Sequence, residues 1–325
     1  MISRVEKIYC KPGIIYSLHI LFTFFIASCT GKDKPSATRI KKLPTYPSAS
    51  AIDFINGKLY VMGDDAPGLL ILDTHLNILD SIPLISYAGR RIPREIKPDL
   101  EAAAYSATDT GTTLFLFGSG SLFPHRHFAL KYYFGTKKVD SIPLQSFFSQ
   151  LKNSGIEQVN IEGACFVAGS LFLSNRGNKS YPYNHLIAAQ NLLWNEDDSF
   201  HISITPIQLL QDTAAFSGVS GLCYAGFSDK LIMCVSTEDT RSSHEDGAIG
   251  KSYLWIIDNA SKKLKNTTFS PDRVIDLEKT DSRFAGQKIE SATVIRETGD
   301  EIHLALVADN DDGSSTVFKI GIKKE

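Results

Sequence analysis

The chain has no excess of one charge, no membrane-length apolar run and no familiar nucleophile motif. Its 34 basic residues stand against 36 acidic ones, so no global field points to a nucleic-acid polymer or a polyanionic surface. No Gly-x-Ser-x-Gly elbow occurs, which removes the simplest serine-hydrolase reading, and no Cys-His pair suggests a thiol nucleophile. Few stretches keep an apolar period of 3.6 residues for long, so a helical bundle is excluded. Only the short segments around Phe147-Phe148 and Ile207–Gln211 read as helical turns. Five cysteines are present. Once Cys10 and Cys29 are set aside with the leader, Cys165, Cys223 and Cys234 remain, an odd number among apolar neighbours. Buried free thiols are the expectation, with a Cys223–Cys234 pairing open if Ser228-Asp229 is a tight turn.

What is present in quantity is turn chemistry and short apolar strands. With 23 Gly and 13 Pro in 325 residues, the class is all-β. Five stretches share a pattern of an acceptor, small residues and then an apolar residue, and each leads through a turn into a strongly apolar strand. The acceptors are Ser50, Glu101, Glu162, Ser220 and Glu290, spaced roughly 50 to 70 residues apart, the scale of one propeller blade with insertions. The predicted fold is a five-bladed β-propeller over residues 39–325, with six blades the alternative. Asp80-Ser81-Ile82-Pro83-Leu84 and Asp140-Ser141-Ile142-Pro143-Leu144 are identical segments at the same place in two repeats, a mark of duplication. The last repeat shows three strands only, so residues 39–43 are expected to supply its fourth and close the ring, removing an open edge.

At the amino terminus, Arg4, Lys7 and Lys11 precede an apolar run over residues 14–26. A run this short suits the core of a signal peptide better than a membrane span. Ile26-Ala27-Ser28-Cys29 resembles a bacterial lipobox. The resemblance implies a signal peptide over residues 1–28, a lipid anchor on Cys29, a polar tether over 29–38 and a place in the bacterial cell envelope. Thr30 after the cysteine favours the outer membrane. An ordinary cleaved signal or an uncleaved anchor is the alternative.

Three carboxylates aimed at one axis repel unless positive charge lies among them. Glu101, Glu162 and Glu290 with Ser50 and Ser220 offer only hard oxygen ligands, the chemistry of Ca2+ rather than zinc. A water-filled channel with purely structural acceptors, or another cation, is the competing expectation. The order Ser, Glu, Glu, Ser, Glu over five blades resembles the central calcium ring of the five-bladed calcium-activated nucleotidases (apyrases). A looser likeness, carried by Ile161-Glu162-Gly163-Ala164 and Val235–Asp239, is to the esterase-like phytase propellers. The first resemblance implies an axial ion with a phosphorylated small molecule above it.

The loops after each second strand hold the polar side chains that would do such chemistry. Arg176 with Asp64, Glu238 and Asp309 are the catalytic candidates, since a carboxylate beside a cation can activate water. Arg126, Lys179, Arg241 and His244 are the substrate-binding candidates, guanidinium groups gripping phosphate in pairs of hydrogen bonds. The expected activity is calcium-dependent phosphoester or phosphoanhydride hydrolysis. The alternative is a non-catalytic surface module for a glycan, metabolite or protein. Asp309–Gly313 resembles the start of a calcium loop but lacks the distal Glu, and reads as a turn.

Overall fold

A computed structural model describes residues 37–325 apart from 110, 191–200, 209–215, 239–248, 267 and 269. Twenty strands build five four-stranded antiparallel sheets set in a ring. Blade 1 is β2 (Ala49–Ile55), β3 (Lys58–Gly63), β4 (Gly68–Leu72) and β5 (Ile78–Pro83). Blade 2 is β6 (Leu100–Thr108), β7 (Gly111–Gly118), β8 (Phe128–Tyr133) and β9 (Lys138–Pro143). Blade 3 is β10 (Ile161–Val167), β11 (Ser170–Asn175), β12 (Asn184–Gln190) and β13 (His201–Ile207). Blade 4 is β14 (Ser217–Ala225), β15 (Lys230–Glu238), β16 (Ile249–Asp258) and β17 (Arg273–Asp276). Blade 5 is β18 (Lys288–Glu297), β19 (Glu301–Asp309), β20 (Ser315–Lys323) and, outermost, β1 (Ala37–Leu43). The first strands of the five blades touch one another in sequence around the ring. The architecture is the expected five-bladed propeller, closed by its amino-terminal strand.

The second strands read as unbroken apolar runs because both faces of a blade are covered by neighbours. In β7, Leu114 and Leu116 pack towards blade 1 while Phe115 and Phe117 pack towards blade 3. In β19, Leu304 and Leu306 face blade 4, and Ala305 and Val307 face blade 1. Period-two alternation thus divides each strand between two of the five inter-blade cores. The outer strands are the polar ones. The repeated Asp-Ser-Ile-Pro motif forms β5 and β9, each leaning one isoleucine (Ile82, Ile142) on a core and ending in proline at the strand terminus. A proline is tolerated there because its missing N–H faces no inner partner. Between blades 2 and 3, helix α1 (Gln145–Asn153) buries Phe147, Phe148 and Leu151, as the sequence suggested; of the second expected turn, Ile207 is strand, Gln208 is not helical, and 209–211 lie outside the described residues.

Closure is clamped at its start. β1 runs antiparallel to β20 from Arg39 opposite Lys319 to Leu43 opposite Ser315. The Ala37 N–H donates to Asp281 Oδ2 (2.9 Å), and Arg283 Nη2 donates to the Ala37 carbonyl (2.6 Å). Cys165, Cys223 and Cys234 are buried free thiols. A four-residue turn over 226–229 sets Ala225 opposite Lys230, so Cys223 faces Ile232 and Cys234 faces Gly221. The open Cys223–Cys234 pairing is thereby corrected: the tight two-residue turn it needed does not form.

Candidate functional site

Every inner strand carries a β-bulge, and the extra residue is in each case the acceptor singled out in the sequence. The register breaks between Ala49 and Ala51, Leu100 and Ala102, Ile161 and Gly163, Val219 and Gly221, and Ile289 and Ser291. A bulge leaves one residue outside the ladder and re-aims its side chain. Ser50, Glu101, Glu162, Ser220 and Glu290 therefore occupy equivalent places at one end of the ring. The small residues that follow are needed for space. A Cβ on Gly221 would lie 2.5 Å from the Glu290 carbonyl oxygen, and one on Gly163 would lie 2.8 Å from the Leu222 nitrogen.

The five acceptors are not equal as ligands. Ser50 Oγ donates to the Ser48 carbonyl (3.0 Å) and Ser220 Oγ to the Ile289 carbonyl (2.9 Å), which ties both hydroxyls to the backbone. Glu162 and Glu290 share a cation that the protein supplies. Arg176 Nη1 is 3.1 Å from Glu162 Oε2 and 3.9 Å from Glu290 Oε2, and Nη2 donates to Ser236 Oγ (3.0 Å). Asn160 Nδ2 donates to Glu162 Oε1 (2.7 Å), and Lys288 Nζ pairs with Glu290 Oε1 (3.0 Å). Positive charge among the axial carboxylates, which the sequence assigned to an ion, comes here from Arg176 and Lys288.

Glu101 belongs to a different group. One carboxylate oxygen from each of Glu101, Asp64 and Asp99 lies within 4.8 Å of the other two. Lys97 Nζ bridges Asp64 and Asp99 Oδ1, the latter at 2.7 Å, and Arg126 Nη1 donates to Asp99 Oδ2 (2.7 Å). Burial would raise Asp99, but Lys97 and Arg126 hold it below its ordinary range. Burial pushes Asp64 up to about 6 against the pull of Lys97. Burial, then Asp99, Asp64 and Glu162, push Glu101 well above the usual carboxylate range. Asp64 Oδ1 is buried with no hydrogen-bond partner. Divergent proton affinities among adjacent carboxyls are the pattern of acid–base and cation sites.

Each remaining candidate can be placed. Asp64, Arg176, Glu238 and Asp309 stand at the carboxyl ends of second strands, at the same end of their blades as the acceptors. Asp309 is half-buried, and burial and then Glu290 push it up to about 8. The Glu238 side chain, Arg241 and His244 lie outside the described residues, as do Cys29 and the rest of residues 1–36. Lys179 is exposed on the loop after β11. Arg126 and Arg176 are 3% and 8% exposed, so both point into the ring rather than out over it. The Asp309–Gly313 segment is a turn, with Asp311 and Gly313 at φ 55° and 80°.

The sequence reading missed Lys97, Asp99, Asn160 and Lys288. Three of these stand two residues before an acceptor, and a polar residue recurring at that offset was the signal that would have found them. Ser48 and Asp99, at that offset in blades 1 and 2, both take the left-handed conformation (φ 48° and 53°), which Asp and Ser tolerate better than branched residues.

A family model described as "Family of unknown function (DUF6929)" matches residues 45–322. No curated protein matches the chain. Among solved structures, the chain is similar to glutaminyl cyclase of Myxococcus xanthus, with 12% identity, a TM-score of 0.49, and coverage of 89% of this chain and 97% of that one. A member of the DUF4221 family from Bacteroides vulgatus is 12% identical at a TM-score of 0.41, covering 88% and 98%. Virginiamycin B lyase from Staphylococcus aureus is 7% identical at 0.38, covering 87% and 99%. At identities this low such likenesses say nothing about chemistry.

Proposed function

The chain belongs to that family of unknown function, DUF6929, and we propose that it is a propeller whose acceptor-lined mouth holds a hard divalent cation, calcium by ligand type, and acts there on a phosphorylated small molecule. The observation that carries this reading is the convergence of Asp64, Asp99 and Glu101, with Asp64 Oδ1 buried and unpartnered. Three carboxylates face two local cations, Lys97 and Arg126. A divalent ion beside Glu101 and Asp64 would offset the remaining charge with the oxygen donors such ions prefer. This ligand set differs from the five-fold ring expected from the apyrase resemblance: Ser50 and Ser220 are tied to carbonyls, and Glu162 and Glu290 are held by Arg176 and Lys288. When bound, the ion would polarise a phosphoryl oxygen. Asp309, proton-loaded near neutrality, stands at the same rim as a proton donor to a leaving oxygen.

A second reading, a non-catalytic binding module, is favoured by one observation. Arg176 and Arg126 already give their guanidinium groups to Glu162 and Asp99 and are buried. One experiment separates the two. Calcium is titrated into the mature chain by calorimetry, and phosphate release is followed over nucleotides and phytate with calcium or chelator. Calcium binding lost in Asp64→Asn, with calcium-dependent release, supports the enzyme. Binding without release leaves the binding module, and no binding at all removes the cation. The basic residues, apolar run and Cys29 support export and lipid anchoring in the cell envelope. Cys29→Ser should then abolish labelling by a fatty-acid probe, and persistent labelling would remove the anchor.

A further inference from the structure

At the other end of the axis from the acceptors lies a cavity of about 980 Å³, to which all five inner strands contribute their later residues. Three positions beyond each acceptor, a second ring faces it: Asp53, Ala104, Cys165, Cys223 and Thr293. The blade repeat places these side chains at one level, so the second ring is as much a product of the fold as the first. It offers one carboxyl, one methyl, two thiols and one hydroxyl. Phe54, Tyr105, Phe166 and Tyr224 add aromatic walls. Among the described residues, no lysine, arginine or histidine lines the space.

Among the described residues, two carboxyls reach it. Glu297 is committed elsewhere, accepting from the Phe227 and Ser228 N–H groups (3.0 Å each) and pairing with Lys324 (3.5 Å). Asp53 is not so provided: its Oδ2 is buried without a hydrogen-bond partner. Burial pushes the Asp53 carboxyl up to about 8, with only a hydrogen bond from Thr293 opposing. A buried carboxyl in this state lacks a counter-charge. The thiols are poor metal partners for it. Burial raises both Cys165 and Cys223, and among the described residues the only three potential ligands that converge within 4.8 Å are Asp64, Asp99 and Glu101. A space of this size with one unpaired acid and several ring faces fits an organic cation better than a metal ion.

We propose that this basal cavity binds a small organic ammonium ion, its charge against Asp53 and its body against Tyr105, Phe166 and Tyr224. The site is independent of the mouth and holds whether or not the mouth binds calcium. Because Asp53 is largely protonated at neutral pH in the empty protein, a permanent cation must drive its proton into the buffer on binding. Tyr105, Cys165, Cys223, Tyr224 and Glu297 are the other titratable groups around the cavity. The tyrosines and thiols are shifted upwards and stay neutral, and Glu297 is held below its ordinary value, so Asp53 is the group that releases the proton.

The test is calorimetry of the mature chain with benzyltrimethylammonium, whose charge does not titrate, and with uncharged benzyl alcohol. It is run near neutral pH in two buffers of different ionisation enthalpy. The cation should bind, release a proton, and exceed the alcohol in affinity by about tenfold or more. Asp53→Asn, close in shape, should lose both the preference and the proton. Tyr105→Ala, at an exposed position that folding tolerates, should weaken the cation more than the alcohol. No binding at millimolar cation by folded protein, equal affinity for the two probes, or an unchanged Asp53→Asn variant would each overturn the proposal.

Discussion

Replacing Arg176 by methionine keeps an unbranched stem as far as the level of Nε and removes the charged guanidinium beyond it. In the native ring that charge lies 3.1 Å from Glu162 and 3.9 Å from Glu290, all three side chains being at least nine-tenths buried. Removing one partner of a buried ionic group strands the others, which costs about 3–5 kcal/mol. With an unfolding entropy of about 2 cal/mol/K per residue over a domain of this length, the melting temperature should fall by about 5–8 °C. Two further outcomes separate this cause from lost packing. The deficit should shrink as pH falls through the range where Glu162 and Glu290, now without the guanidinium, take up protons. Glu162→Gln combined with Arg176→Met should also be less destabilised than the sum of the single variants. Differential scanning calorimetry over a pH series reads all of this. A variant that melts within about 1 °C of the parent at neutral pH would refute the reasoning.

Other perturbations have a definite sign. Gly221→Ala puts a methyl against the Glu290 carbonyl and should cost about 1–3 kcal/mol by denaturant unfolding, since the next inner strand must move. Asp53 binds its proton more tightly folded than unfolded, so its contribution to stability falls as pH rises from its ordinary 3.8 to about 8. Asp53→Asn should therefore flatten that part of the stability profile, and an unchanged slope would place the titration elsewhere. Asp281 is the reverse case. The Arg283 guanidinium, with backbone N–H groups, holds it well below the carboxylate range. Its stabilisation is complete above the ordinary aspartate value and is lost only as pH falls through the depressed one. Asp281→Asn should speed hydrogen exchange at the Ala37 amide at neutral pH.

The blade plan was legible because both ingredients of a propeller leave marks in a single sequence. Unbroken apolar second strands such as Leu114–Phe117 report burial on two faces, and small residues after each acceptor report crowding at an axis. The closing strand was legible because blade 5 was one strand short. The direction of Arg176 was not. A loop arginine after Asn175 reads as a rim residue, and it turns inward because Gly218, on the next blade, presents no Cβ where the arginine stem passes. Lys97 was hidden for a different reason. It sits in the connection between β5 and β6, a stretch with no counterpart in the other repeats, so no pattern could place its ammonium between Asp64 and Asp99. Cys223 and Cys234 are the buried free thiols expected, and the pairing left open between them fails by two positions because turn length, not strand composition, sets hairpin register.

The first strand of the ring pairs with the one made last. β1 leaves the ribosome ahead of everything else in the ring, yet its only sheet partner is β20, near the other end of the chain. Until β20 arrives, β1 is a lysine-bearing edge with nothing to pair with, and the charges of Lys41 and Lys42 discourage it from pairing with the wrong chain. A polypeptide interrupted anywhere before β20 cannot satisfy that strand. The seam therefore works as a check on the ring alone, because β1 finds its place only when all five blades have been made. It is also the strand pairing of longest sequence separation in the ring, the kind that carries the largest loop-closure entropy.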